Sequence, residues 1–162
     1  MKHKLSFTIV LTFLLSVAGF SQQGSSAINL HAGIGGNYQG YKAQTPSFFA
    51  SYEYFVLDNV SVGAMGGYAT LTVPTYDWGG VGETTDKYSN IIASGIANYY
   101  FVNGDTFDVY SGIKIGYASE YAANIFYSVN LGAKYFFSES MAISAEGGIG
   151  IPILKVGVTF NL

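Results

Sequence analysis

Apolar and polar residues alternate one by one along most of this chain, the period of a β-strand with a single apolar face. The stretch 50–67 shows the repeating unit. Tyr52 and Tyr54 share one face with Glu53 between them, Asp58-Asn59 breaks the run, and Val60, Val62 and Ala64 then alternate with Ser61, Gly63 and Met65. The device returns as Tyr99-x-Phe101 before Asn103-Gly104-Asp105, and as Tyr135-x-Phe137 before Ser138-Glu139-Ser140. Three such hairpins with one strand at either end predict eight strands, over 27–35, 48–56, 60–68, 88–101, 107–117, 127–137, 141–149 and 154–162. The fourth run is the least regular, because Ile92 and Ile96 interrupt its polar face. Short turns fall at 57–59, 103–105 and 138–140, and Asn103-Gly104 predicts a two-residue hairpin. Longer connections cover 37–47, 73–88, 118–124 and 150–152.

Composition decides what surrounds these strands. Hydrophobic residues make up 49% and charged residues only 10%, against a usual charged share of about 25%. No unbroken apolar run of about 20 residues follows residue 21, so a spanning helix is excluded and strands must meet the lipid. A lipocalin-like soluble barrel would turn its apolar face inward and a charged face to water. Here the face opposite the apolar one is mostly Gly, Ser, Asn and Thr with single Lys, Glu or Asp residues, which suits a narrow lumen. Lipid satisfies no open strand edge, so the first strand (Ile28, Leu30, Ile34) is expected to pair antiparallel with the last (Leu154, Val158, Phe160). The fold class is all-β: an eight-stranded antiparallel up-and-down transmembrane barrel over residues 22–162.

Residues 1–21 carry the three parts of a secretory signal peptide: Lys2, His3 and Lys4, the apolar run 5–20, and small residues at Gly19 and Ser21 before the expected cleavage. Cysteine is absent, which rules out disulfides, thiolate metal sites and a lipidated N-terminal cysteine. All positive residues are lysines, and after the leader Lys42, Lys87, Lys114, Lys134 and Lys155 face ten acids, a net of about −5. With no arginine and that balance, the chain is a poor candidate for phosphate or nucleic-acid binding.

Together the leader, the eight alternating segments, the three short turns, the longer intervening loops and the terminal Val-Gly-Val-Thr-Phe-Asn-Leu resemble the small eight-stranded outer-membrane proteins, represented by the OmpA membrane domain and OmpX. The resemblance spans residues 25–162. It implies residence in the outer membrane of a Gram-negative cell, a monomer contacting outer-membrane lipid, and insertion by the barrel assembly machinery through the last strand, here Val156, Val158, Phe160 and Leu162. Many members end on an aromatic residue, whereas this chain ends on Leu162 with Phe160 two positions earlier. With both termini periplasmic, the short turns face the periplasm and the long segments face outward.

Six ionisable residues fall on the inner face: Glu53, Asp108, Lys114, Lys134, Glu146 and Lys155. Three acids against three lysines in a low-dielectric lumen are expected to pair as a plug, Glu146 with Lys134 or Lys155, and Asp108 near Lys134. Tyr52, Tyr54, Tyr99, Phe101, Tyr135 and Phe137 form an expected aromatic girdle at the periplasmic rim. His31, the only histidine after the leader, reads as an interior polar residue low on the first strand rather than a general base. The loop acids Asp77, Glu83 and Asp86 read as solvated, so no metal and no cofactor is called for. The expected function is a non-enzymatic envelope barrel serving membrane integrity or surface contact through its loops. The alternative is a lipid-modifying enzyme or a small-solute channel.

Overall fold

The computed structural model describes residues 23–38, 41–76, 83–119 and 124–162. The leader, and with it the expected cleavage after Ser21, lies outside them, as do Asp77 and Trp78 of the longest connection. The strands are β1 (Ser26–Ile34), β2 (Asn37–Tyr38), β3 (Tyr41–Leu57), β4 (Val60–Tyr76), β5 (Glu83–Asn103), β6 (Phe107–Ala118), β7 (Ile125–Ser138), β8 (Met141–Ile149) and β9 (Leu154–Asn161). β3 to β9 pair antiparallel in chain order, and β1 pairs with both β9 and β3, so the sheet closes. The two-residue β2 pairs only with the start of β3, which leaves eight strands in the wall. The expected closure is seen in register: Ile28 lies opposite Phe160, Leu30 opposite Val158 and Ile34 opposite Leu154.

Three connections differ from the sequence expectation. β3, β4 and β5 run well beyond the expected strands, and pairing of β4 with β5 continues to Tyr76 opposite Glu83. Much of 37–47 and 73–88 is therefore ribbon rather than loop. Pro46, which has no N–H to give a ladder, had marked a loop; the ribbon absorbs it in a bulge between Gln44 and Phe48. Asn103-Gly104 is not a two-residue turn either. Asn103 is the last residue of β5, opposite Asp108, and neither Asn103 nor Gly104 takes the positive φ that such a turn requires. The Asp108 carboxylate instead accepts the Gly104 N–H at 3.1 Å and draws the turn out over 104–106. The other two short turns do hold only two residues, since Leu57 pairs with Val60 and Ser138 with Met141.

Each of the three short hairpins also carries a bulge in its first strand just before the turn, at Val56, Phe101 and Phe137. The residue before each bulge, Phe55, Tyr100 or Phe136, pairs with an inward partner, so the repeated motif contains an inner aromatic as well as the outer pair. Phe55, Tyr100 and Tyr110 stack at 5.0 Å between successive ring centres and fill the lumen near the short turns.

The alternation sorts residues as expected. Ile91 (64% exposed), Ile115 (63%) and Leu131 (59%) stand on the outer surface, while Asn29, Glu53, Lys134 and Thr159 are buried inside. Water would not tolerate so continuous an apolar exterior on a single chain. The interior is less polar than expected, however. Toward the long ribbons Phe49, Met65, Leu71, Ile92, Ile96 and Phe126 form a buried apolar cluster, and the two isoleucines that blurred the fourth run belong to it. Inward glycines are what admit such bulk. Phe49 lies over Gly67, where an added Cβ would come within 2.1 Å of its ring, and Tyr110 lies over Gly132 in the same way.

Candidate functional site: the charged lumen

The six charged residues expected inside are all there, each no more than 6% exposed. Backbone alternation on β3, β6, β7, β8 and β9 points them inward, and the register sets their heights. Glu146 on β8 lies directly opposite Lys155 on β9 and Gly132 on β7, and Gly132 in turn lies opposite Tyr110 on β6. Because Gly132 has no side chain, the lumen is open between β6 and β8 at this level. Tyr110 reaches through the gap to donate its hydroxyl to Glu146 Oε1 at 2.8 Å. Lys114, also on β6, places Nζ 2.8 Å from Glu146 Oε2. Lys155 pairs with that same Oε2 from the other side, so one carboxylate is held between two ammonium groups. Lys114 also donates to Asn130 Oδ1 at 2.6 Å.

A second group lies nearer the short turns. Glu53 accepts from Asn29 Nδ2 at 2.7 Å, Ser61 Oγ at 2.8 Å and Tyr100 Oη at 2.9 Å, which occupies both oxygens. Lys134 stands 3.8 Å from Glu53 Oε2 and donates to Tyr100 Oη at 2.8 Å. Its ammonium lies 5.2 Å from the Tyr100 ring centre and 5.3 Å from that of Tyr110, over aromatic faces that attract a cation. Asp108 is the direct cross-strand partner of Lys134. Asn29 passes the network on to Thr159, whose hydroxyl donates to Asn29 Oδ1 at 2.6 Å.

Charge spacing in the sequence offered Glu146 either Lys134 or Lys155, and the structure joins it to Lys155, while Lys134 goes to Glu53. The structure also brings in Lys114, which the strand-by-strand count had left apart. The hydroxyls of Tyr100 and Tyr110, which bind both glutamates, were not foreseen as part of the site. Their inward parity was readable, but which carboxylate each reaches depends on curvature across the lumen. His31 is buried, and its Nε2 lies 2.9 Å from Ser144 Oγ across the glycine at position 157. It sits past the middle of β1 rather than low on it.

Of the expected girdle, Tyr52, Tyr54, Tyr99, Tyr135 and Phe137 are exposed on the outer surface toward the short turns. Phe101, a bulge residue, is half-buried with its ring edge-on to Tyr99 at 5.3 Å. In β9, Val156 is exposed and Val158 and Phe160 are half-buried, while Leu162, just beyond the strand, is exposed and donates its N–H to Ser26 O at 2.8 Å. Among the described residues no helix is long and apolar enough to cross a membrane, and no cluster of three metal-ligating side chains occurs.

Solved structures share this architecture. The N-terminal β-barrel domain of Pseudomonas aeruginosa OprF superposes with a TM-score of 0.59 at 18% identity, covering 88% of this chain and 100% of that one. The fold is that of the small eight-stranded outer-membrane β-barrels. OprG, an outer-membrane protein of Pseudomonas aeruginosa, gives a TM-score of 0.57 at 10% identity over 90% of this chain and 99% of that one. A barrel from the de novo design of transmembrane β-barrels gives 0.58 at 13% identity over 88% and 100%. No protein-family model matches the chain, and no curated protein matches it in sequence. At such low identity the likeness is one of fold.

Proposed function

We propose that this protein is a non-enzymatic, monomeric barrel of the outer membrane with a closed lumen, serving envelope integrity or surface contact through the loops above its long ribbons. In this reading the leader exports the chain, the assembly machinery inserts it by its last strand, and the short turns face the periplasm. The observation that carries the closed lumen is the Lys114–Glu146–Lys155 bridge, crossing the interior from β6 to β9 beneath the apolar cluster. A desolvated carboxylate held by two ammonium groups and a phenol supports a lumen closed at that level. The enzymatic alternative would call on His31, yet that side chain is buried and engaged by Ser144.

Planar-bilayer recording tests the closed lumen. The native protein is expected to give no steady conductance, and Glu146→Ala, which leaves two lysines repelling each other, to give small openings. Steady single-channel currents from the native protein would favour the channel alternative. Fractionation tests the location: the protein should appear with outer membranes and migrate differently on a gel before and after boiling.

A further inference from the structure

The outer surface of β3, β4 and β5 is ordered by height. Rows of cross-strand neighbours climb from Tyr54–Val62–Ala97 through Tyr52–Ala64–Gly95 and Ala50–Gly66–Ala93 to Phe48–Tyr68–Ile91. The row Ala50–Gly66–Ala93 is small throughout, and a Cβ placed on Gly66 would meet nothing within 4 Å. A groove of about 630 Å³ results, floored by Ala50 and Gly66 and continued over β1 and β9 by Leu30, Ala32, Val156 and Val158. Above it Tyr68 and Ser89 join hydroxyls at 2.9 Å. Four residues beyond Tyr68 on β4, Thr72 lies between Lys42 and Lys87, its direct neighbours on β3 and β5. Three of the five lysines after the leader are spent in the lumen; the other two are this exposed pair.

We infer that this face holds one phosphate-bearing lipid of the outer leaflet, its head between Lys42 and Lys87 and an acyl chain in the groove. The inference rests on the outer-membrane reading above. Its support is the coincidence of charge and height. Six residues of β4 separate Gly66 from Thr72, about 20 Å along the strand and roughly 15 Å of height at a tilt of about 40°. That is half of a hydrocarbon core about 30 Å thick, so the lysines meet the headgroups when the groove sits at mid-depth. Two interstrand spacings put the lysine Cα atoms about 10 Å apart, a gap two flexible ammonium groups close around a phosphate. On a chain with a net negative charge this is a local exception that selects an anion.

The test uses the full mature chain folded in neutral detergent, its closure first checked by heat-modifiability, and native mass spectrometry to count retained lipid. Bisphosphorylated lipid A is expected to be retained roughly tenfold or more over the same lipid with its phosphates removed, because each surface lysine favours an anionic head. The double variant Lys42→Gln, Lys87→Gln should erase that preference, and Gly66→Leu, which fills the groove, should lower retention of both lipids. Equal retention of the two lipids by the native protein, or an unchanged preference in the double variant, overturns the inference. Displacement of the lipid by inorganic pyrophosphate at equal concentration would reduce the site to its charges and remove the acyl part. A dimeric mass abolished by Gly66→Leu would give the groove to a second copy of the chain instead. A chain that fails heat-modifiability refutes the barrel reading itself, which keeps the two failures apart.

Discussion

Leu131 and Glu146 lie almost side by side on β7 and β8, one on each side of the same wall. Leu131 is 59% exposed and faces away from the barrel, whereas Glu146 is 5% exposed and holds two lysines and a tyrosine. Removing Leu131 from the outside deletes apolar surface and no specific partner. Removing Glu146 from the inside strands two charges. The outer face is thus governed by depth in the surrounding medium and the inner face by partnership. The wall is only one residue thick, so both rules operate on alternate positions of the same strand.

The sharpest way to break this contrast is Glu146→Ala. With Lys114 and Lys155 left buried and unpaired, the barrel is expected to lose about 3–5 kcal/mol, less if water enters the gap. Urea unfolding in lipid vesicles measures it, and a loss no larger than that of an exposed substitution would mean the bridge is not desolvated. The outer rule is probed by Leu131→Lys, which should cost about 2–4 kcal/mol at mid-depth, against about 0–1 kcal/mol for Phe137→Lys near the short turns. Equal costs at the two depths would show that this face never meets lipid. Tyr110→Phe removes only the phenol that donates to Glu146, a hydrogen bond to a charged group worth about 1.5–3 kcal/mol, and leaves both lysines in place. The bilayer should therefore stay silent for this variant; conductance as large as that of Glu146→Ala would make the phenol, not the charge bridge, the closing element. The smallest effect is expected for Tyr52→Phe. It loses an exposed hydroxyl contact with Ser26 at 2.8 Å, and the change in stability should stay within about 0.5 kcal/mol.

The periodicity of two carried most of the architecture. It needs no long-range information, because successive side chains on a strand must point to opposite sides, and the low charge content then decided which side meets lipid. Closure of β1 on β9 followed from the cost of an unpaired edge, and the inward positions of Glu53, Lys134, Glu146 and Lys155 followed from parity. Strand ends were harder to read. Pro46 and the polar stretch before Phe48 imitate a loop, and only cross-strand pairing with β4 shows that a bulge carries the ribbon past them. Asn103-Gly104 has the composition of a tight turn, but the Asp108 side chain competes for the Gly104 N–H and wins. The partners across the lumen belong wholly to the tertiary structure. That Tyr110 reaches Glu146 depends on Gly132 leaving a gap between β6 and β8, and that Lys134 settles among Glu53, Tyr100 and Tyr110 depends on the curvature of the closed wall. One strand decides which side of the sheet a residue occupies; contacts across the lumen depend on all eight, since the register between every neighbouring pair adds up around the barrel.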